Sequence, residues 1–191
     1  MRCSIEATFV SCQKMFEAMK PGMTENRLWG VLWAEMLARH GEWMECRLLA
    51  AGERTNPWFQ ECSASVIRNG DVVAFDTDLV GAYGMMADIS RTWVAGDAPP
   101  TPEARHAHNL ALEQIRHNTE LFQPGLSFHD LVHQAWYPPV TEYRHYSVLA
   151  HGVGQCDEYP SIPFRESWKA SGYDGVLESG MVLTVEAYVG A

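Results

Sequence analysis

Three segments from the first half of this 191-residue chain recur, in the same order, in its second half. The matched segments, first copy with second, are 20–33 with 123–136, 49–52 with 149–152, and 69–76 with 179–186. Any one match could arise by chance, because Pro-Gly commonly ends a helix. Three matches in one order favour a true duplication of a helix, helix, strand unit. A repeat of about 100 residues is far too long for a solenoid.

The local patterns predict an α+β chain without a linker or low-complexity segment. Apolar residues recur at helical spacing over 4–19, and the segment capped by Thr24 continues as a second helix. Asn69-Gly70 is a turn signal before a buried strand. The predicted strands are 71–76 and about 89–94, joined as a hairpin, and the later helices run over about 101–122 and 127–136.

Composition narrows the classes of partner. A formal charge of −10 argues against nucleic acid and against an anionic membrane surface. The chain has no run of about 18 apolar residues, so no membrane span is predicted. Its five cysteines are odd in number and lack C-x-x-C pairing, which is typical of reduced thiols. We therefore expect a cytoplasmic protein.

Three aspartates bracket the predicted hairpin. Residues two apart on a strand point to one face, so Asp76 and Asp78 are expected to converge, and paired strands could bring Asp88 beside them. Their neighbours 72–75 are apolar, and buried like charges are costly unless they are paired or bound to a metal. A polar turn with solvated aspartates explains this segment equally well on its own.

Two residues of the second copy extend this acidic set. His151 lies in a glycine-rich turn, where a structural role is the alternative, and Glu186 ends a β-rich run at the repeat position of Asp76. Three Asp, one Glu and one His form a mostly oxygen donor set, which suits iron(II), manganese or zinc. Four carboxylates would balance two divalent cations.

The repeat also predicts that the chain is a fragment. The first copy continues from Asp76 through a hairpin to Asp88, whereas the second ends at Ala191, five residues after Glu186. By analogy with the first hairpin, we expect another acidic ligand on a strand within roughly 20 residues after Ala191.

These motifs resemble those of the creatinase, prolidase and methionine-aminopeptidase family. The run 70–92 is similar to the family's hairpin with two aspartate ligands and Asp-x-x-Arg-Thr, 151–154 to its histidine motif, and 178–186 to its glutamate segment. The resemblance implies the pita-bread fold, α+β with a pseudo-twofold duplication, here truncated at the C-terminal hairpin. Residues 1–191 would then be a partial catalytic domain without the N-terminal domain and last metal-ligand strand. Full-length relatives of this type form homodimers.

Departures from the family pattern bear on the reaction. Asp78 is an additional acid, and the Asp76 to Asp88 spacing is one residue longer than usual. The family's second histidine, which contacts a peptide substrate, is replaced by Asp157. Another histidine often found upstream is absent from 56–59, where the sequence reads NPWF. Peptidase chemistry is therefore less strongly indicated.

The lyase branch of the family that acts on dimethylsulfoniopropionate (DMSP) is similar over 76–93. The resemblance implies five metal ligands: Asp76, Asp78, Asp88, His151 and Glu186. It also implies two divalent ions, expected to be iron, with manganese, zinc and cobalt as alternatives, and Asp157 as the base. The substrate would be a small zwitterionic sulfonium compound, which β-elimination splits into dimethyl sulfide and acrylate.

Other residues have supporting roles in this hypothesis. A sulfonium can rest on aromatic faces, and four aromatic residues near the motifs are candidates, with ordinary packing as the alternative: Trp58, Tyr146, Tyr159 and Trp168. Arg91 is expected to pair with a ligand carboxylate, unless it is a surface charge on a strand. The remaining histidines show no ligand pairing except His129 and His133, whose i, i+4 spacing suits zinc but which the repeat places on an outer helix.

Two other functions stay open from the sequence. An Xaa-Pro dipeptidase or aminopeptidase would share the metals, although it should also carry the missing histidines. A non-catalytic peptide-binding module of the same fold would have lost its ligands, and the five retained here argue against that class.

Overall fold

A computed structural model describes residues 1–57 and 60–190. The chain forms two compact units, Met1–Ala104 and Arg105–Ala191. The boundary between them lies between the two copies of the sequence repeat. Among the described residues, no helix combines the length and the apolar character that crossing a bilayer requires.

The described residues of the first unit form two α-helices and six short strands. Its elements are α1 (Arg2–Ala18), α2 (Glu25–Leu37), β1 (Trp43–Met44), β2 (Leu49–Ala51), β3 (Val72–Phe75), β4 (Asp78–Val80), β5 (Met86–Asp88) and β6 (Arg91–Val94). The strands form two antiparallel sheets of three strands each, in the orders β1-β4-β5 and β2-β3-β6. Leu28, Leu32 and Met36 of α2 are fully buried in one core with Leu49 and Phe75 of the second sheet.

Helix α1 is confirmed, but its buried side differs from the apolar stripe of the sequence. Ile5, Phe9 and Phe16 are 40%, 51% and 50% exposed. The inward side is made mostly of small polar residues together with one thiol and one thioether: Ser4, Thr8, Ser11, Cys12 and Met15. Spacing therefore predicted the helix, whereas the close approach of α2, which favours small side chains, decided which side is buried.

The second unit contains three helices and one antiparallel sheet. Its elements are α3 (Pro102–Leu121, which begins just before the boundary), α4 (Phe128–Gln134), β7 (Val148–Gly152), β8 (Ser161–Pro163), α5 (Trp168–Ser171) and β9 (Leu183–Val185). The strand order is β8-β7-β9, so β7 is central. As expected, the Thr101 hydroxyl accepts a hydrogen bond from the backbone of the first turn of α3, at 3.1 Å from Ala104 N.

The two units repeat each other in their backbone contacts. Thr24 caps α2 and bridges to Val66, and Ser127 caps α4 and bridges to Val176. Just before these caps lie Gly22 and Gly125, with φ angles of 94° and 95°, a left-handed conformation that glycine adopts without strain. The same cap, bridge and turn in both units confirm the helix and strand order inferred from the repeat.

The predicted hairpin over 71–94 is broken into two strand pairs. One strand was expected over 71–76, and the next over about 89–94; instead β3 pairs with β6, and β4 pairs with β5 in the other sheet. The break is held by buried Thr77, whose hydroxyl accepts from Ile89 N at 3.0 Å and donates to Ile89 O at 3.1 Å. A side chain thus replaces the backbone ladder where the chain passes between sheets, which periodicity alone does not reveal.

Candidate metal-binding site

Asp76 lies immediately after β3, at the break between the two sheets. Its side chain is buried, since the residue is only 3% exposed, and its Oδ1 accepts a hydrogen bond from Thr77 N at 3.0 Å. Its backbone N–H donates to the carbonyl of Leu48, so the edge of β2 fixes its position. The alternative of a solvated aspartate is therefore wrong for Asp76.

Asp78 and Asp88 face each other across the β4–β5 pair. They are register partners, as even spacing in paired strands predicted. Directly opposed residues have Cβ atoms about 5 Å apart, and like charges at such positions are destabilising. A carboxylate oxygen of Asp76 also lies within 4.8 Å of one from Asp88. Three acids in this arrangement are the surroundings that a bound divalent cation would stabilise.

Asp78 has a neighbour that the sequence did not indicate. The Cys46 thiol lies between β1 and β2 and donates a hydrogen bond to Asp78 Oδ2 at 2.6 Å. Burial, followed by the Asp78 hydrogen bond and charge, raises the pKa of Cys46 well above its ordinary value. Cys46 is therefore a neutral donor to this carboxylate at neutral pH. Because 32 residues separate the two, no local motif could have predicted the pair.

His151 lies on the central strand of the second unit, where β7 pairs with both β8 and β9. The residue is 1% exposed, and its Nδ1 lies 3.1 Å from the carbonyl oxygen of Gly152. Since a carbonyl can only accept, this contact places the proton on Nδ1. The Nε2 lone pair is then directed away from Gly152, and the ring is oriented as in metal-bound histidines.

Glu186 follows β9 and lies next to this imidazole. Its Oε2 is 3.4 Å from His151 Nε2. The residue is 5% exposed, and Oε2 accepts no hydrogen bond from any residue that the structure describes. The backbone carbonyl of Glu186 is held by buried Gln114 of α3, whose Nε2 donates to it at 3.2 Å. Two buried acceptors so close together favour a shared cation between them.

Asp157 also lies beside the imidazole. Its Oδ1 is 3.7 Å from His151 Nδ1, and its side chain is 7% exposed. The backbone N–H of Glu158 donates to the same oxygen at 3.1 Å. Asp157 is therefore a largely buried carboxylate beside a candidate metal ligand, and its role as general base stays a prediction.

The aromatic residues predicted to contact the substrate differ in their exposure to solvent. Tyr146 is buried, whereas Tyr159 is 67% exposed and stacks against Tyr173 with ring centroids 6.4 Å apart. Trp168, half-buried, begins α5 and makes an edge contact with His129. Trp58 lies outside the described residues.

Arg91 was expected to pair with a ligand carboxylate. Arg91 is exposed, and its Nη1 donates to the Ser90 carbonyl at 2.7 Å. The pairing of Arg91 with a ligand carboxylate stays a prediction, with a surface charge on a strand as its alternative. In the β3–β6 register Arg91 is opposite Phe75, on the ladder that precedes the acidic residues.

The donor sets of both units fit divalent cations. The first unit supplies three carboxylates, and the second an oriented imidazole with two carboxylates: Asp76, Asp78, Asp88, His151, Asp157 and Glu186. The Glu186 oxygen without a hydrogen-bond donor is the observation that tests this fit most directly. A mostly oxygen set with one nitrogen accommodates iron(II), manganese, zinc or cobalt.

Comparison with known proteins identifies the family of this chain. The model of metallopeptidase family M24 matches residues 1–191. The chain is 45% identical, over 197 aligned residues, to the dimethylsulfoniopropionate lyase DddP of Roseovarius nubinhibens, covering 100% of this chain and 44% of that protein. The DddP of Roseobacter denitrificans is 42% identical, with 99% and 44% covered. The chain thus spans less than half the length of these relatives.

Among solved structures, the X-Pro aminopeptidase of Thermotoga maritima superimposes with a TM-score of 0.84 at 24% identity. The match covers 98% of this chain and 51% of that one, and it shows the shared pita-bread fold. The expected fold class is therefore confirmed. With a family model matched along its whole length and a relative at 45% identity, this chain belongs to metallopeptidase family M24, a family of metalloenzymes.

Proposed function

We propose that the protein is a metal-dependent carbon–sulfur lyase that cleaves DMSP to dimethyl sulfide and acrylate. The observation that carries this proposal is the 45% identity to a DMSP lyase along the whole chain. Asp157, present where family peptidases carry a histidine, supports it from the site. The substrate is then a small zwitterionic sulfonium compound, and the enzyme is a cytoplasmic homodimer at full length.

We further propose that the protein binds two divalent ions, iron in the native enzyme. The ligands are Asp76, Asp78, Asp88, His151 and Glu186, completed by an acidic residue after Ala191. The Gly152 carbonyl keeps the imidazole in the tautomer that a metal requires, and Gln114 holds the Glu186 backbone. Bound cations would draw charge from the substrate carboxylate and so make the adjacent C–H more acidic.

In this proposal Asp157 removes the proton next to the substrate carboxylate. The C–H electron pair becomes the new C=C bond of acrylate, while the C–S bond breaks and its electrons leave on sulfur as dimethyl sulfide. The proton stays on the Asp157 carboxyl until solvent removes it. No water molecule is consumed, so the elimination has no need of the peptidase histidines. The low exposure of Asp157 keeps competing water from the carboxylate.

The test is dimethyl sulfide release, measured by gas chromatography on the full-length protein completed from its coding sequence. Asp157→Asn is expected to lower kcat by at least 100-fold, the lower range for loss of a general base. Asp174→Asn, which changes an exposed carboxylate of the same unit, is the matched control and should leave kcat unchanged. Metal content measured on both variants should equal that of the wild type, because Asp157 is assigned to proton transfer.

A metallopeptidase of the Xaa-Pro type is the second candidate, favoured by the family to which the chain belongs. It predicts hydrolysis of a proline dipeptide by the metal-loaded, full-length protein. Dipeptide hydrolysis without dimethyl sulfide release would refute the lyase proposal. A protein that binds no stoichiometric metal and lacks both activities would instead indicate the non-catalytic module.

A further inference from the structure

We infer that α4 carries a surface site for a transition-metal ion, formed by the imidazoles of His129 and His133 and separate from the carboxylate site. The two residues are four apart on a helix and therefore lie on one side of it. Their rings are adjacent and stacked, with centroids 4.1 Å apart and planes inclined by 25°, and rotation of one ring out of the stack would direct both Nε2 atoms at one ion. Both side chains face solvent, so an ion can reach them.

Hydrogen bonds define the protonation of both rings. His133 Nδ1 lies 2.8 Å from the carbonyl oxygen of His129, and His129 Nδ1 lies 3.4 Å from Asp130 Oδ1. Carbonyl and carboxylate oxygens only accept, so each Nδ1 carries the proton in the neutral ring. Both Nε2 atoms then present lone pairs. A histidine whose Nδ1–H is bound to a carboxylate or carbonyl is the usual arrangement in protein metal sites.

Neighbouring residues hold the pair in place. Trp168 packs edge-on against the His129 ring, with centroids 5.6 Å apart at 77°. Arg165 Nη2 donates to the His133 carbonyl at 2.9 Å and so fixes the last turn of α4. Ser127 caps the first turn by accepting from Asp130 N at 3.0 Å. The backbone of α4 is therefore fixed before an ion binds, and the reorganisation that binding requires is a rotation of the imidazole side chains.

Ligand chemistry selects the class of ion. Two imidazole nitrogens favour Cu²⁺, Ni²⁺ and Zn²⁺ over Mg²⁺ and Ca²⁺, and Cu²⁺ should bind most tightly. The carboxylate-rich set described above has the opposite bias toward oxygen ligands. The two kinds of site can therefore be distinguished by the atoms that coordinate the ion.

The test is a titration of the full-length protein with Cu²⁺. Isothermal calorimetry measures the binding, and electron paramagnetic resonance identifies the coordinating atoms. With the carboxylate site first saturated with Mn²⁺ or Fe²⁺, the wild type should bind one further Cu²⁺ whose spectrum shows coupling to two nitrogen nuclei. His133→Ala should abolish that signal, and Asp130→Ala, which removes the acceptor for His129 Nδ1–H, should weaken binding about 10- to 100-fold. His106→Ala, an exposed histidine on α3 bonded to Tyr143, is the matched control and should change nothing.

A wild-type spectrum without the two-nitrogen signal, or an unchanged one in His133→Ala, would overturn the inference. Equal loss in His106→Ala would also overturn it, since binding would then be nonspecific. Circular dichroism of each variant checks the fold, and an exposed side chain should leave it intact. The result is independent of DMSP cleavage, so failure of the lyase assay would not decide it.

Discussion

Glu25 offers the sharpest test of how the first unit is held together. This carboxylate opens α2, has 0% exposure, and accepts four hydrogen bonds. Its Oε1 accepts hydrogen bonds from Ala51 N at 2.9 Å and from Arg54 Nε at 3.1 Å. Its Oε2 accepts from Ser63 N at 2.9 Å and from Ser63 Oγ at 2.6 Å. Glu25 therefore ties the start of α2 to both ends of the segment between β2 and residue 63.

We predict that Glu25→Ala lowers the free energy of unfolding by about 4 kcal/mol, within the range for removing one partner of a buried charge pair. Most of the loss arises at the Ala51 and Ser63 backbone N–H groups, since an unsatisfied buried donor costs roughly 1–3 kcal/mol. The Arg54 ion pair contributes less, because its side chain is 34% exposed and solvent screens it. Glu25→Gln keeps one acceptor oxygen, so we expect about half that loss, roughly 2 kcal/mol.

The measurement is urea unfolding at pH 7, followed by circular dichroism. Glu53→Ala, which removes an exposed carboxylate from the same segment, is the control and should change the free energy by less than about 0.5 kcal/mol. A loss below about 1 kcal/mol for Glu25→Ala would refute the reasoning, because four bonds to a buried charge could not then be contributing as argued.

Three further predictions follow from packing and from thiol chemistry. Gly30→Ala in α2 should stabilise the protein by about 0.5–1 kcal/mol, since a Cβ there meets nothing within 4 Å. Gly152→Ala should destabilise it by about 1–3 kcal/mol in the same urea assay, because the new Cβ collides with the Tyr159 carbonyl. The two substitutions should therefore change the free energy of unfolding in opposite directions. Alkylation by iodoacetamide at pH 8 should modify the exposed thiols first. Three other thiols should react more slowly, because burial raises their pKa and so leaves less thiolate: Cys12, whose pKa is raised to about 12, Cys46 and Cys62. Mass spectrometry would contradict this if these three reacted as fast as Cys3 and Cys156, and raising the pH should narrow the difference.

The position of Glu25 also bears on how the two units diverged. Phe128 occupies the same place in the second copy, directly after the capping Ser127, and packs against Tyr173 with ring centroids 5.7 Å apart. The shared cap and turn therefore tolerate either a charge or an aromatic ring at this position. What differs is the returning segment: in the first unit it presents backbone N–H groups and a hydroxyl, and in the second it presents a ring.

Much of this protein was predictable from local sequence. Capping residues act over a few residues, so Thr24 correctly marked the start of α2, and the helix expected from about 127 is capped by Ser127. The repeat predicted the same order of helices and strand in both halves, and the family motifs indicated the fold. Even spacing along the hairpin correctly set Asp78 opposite Asp88, because the side chains of a strand alternate with a period of two.

Tertiary packing decided what the local patterns left open. It buried the small polar residues of α1 and left Ile5, Phe9 and Phe16 exposed. It also divided one predicted hairpin between two sheets at Thr77 and left Arg91 on the surface. It also brought the Cys46 thiol to Asp78 and the Glu186 carboxylate to His151, across 32 and 35 residues. Such contacts depend on how whole elements pack, and the period of a helix or strand carries no information about its distant neighbours. The types of residue that can bind metal were therefore determined by the sequence, whereas their orientation and their buried partners were determined by the fold.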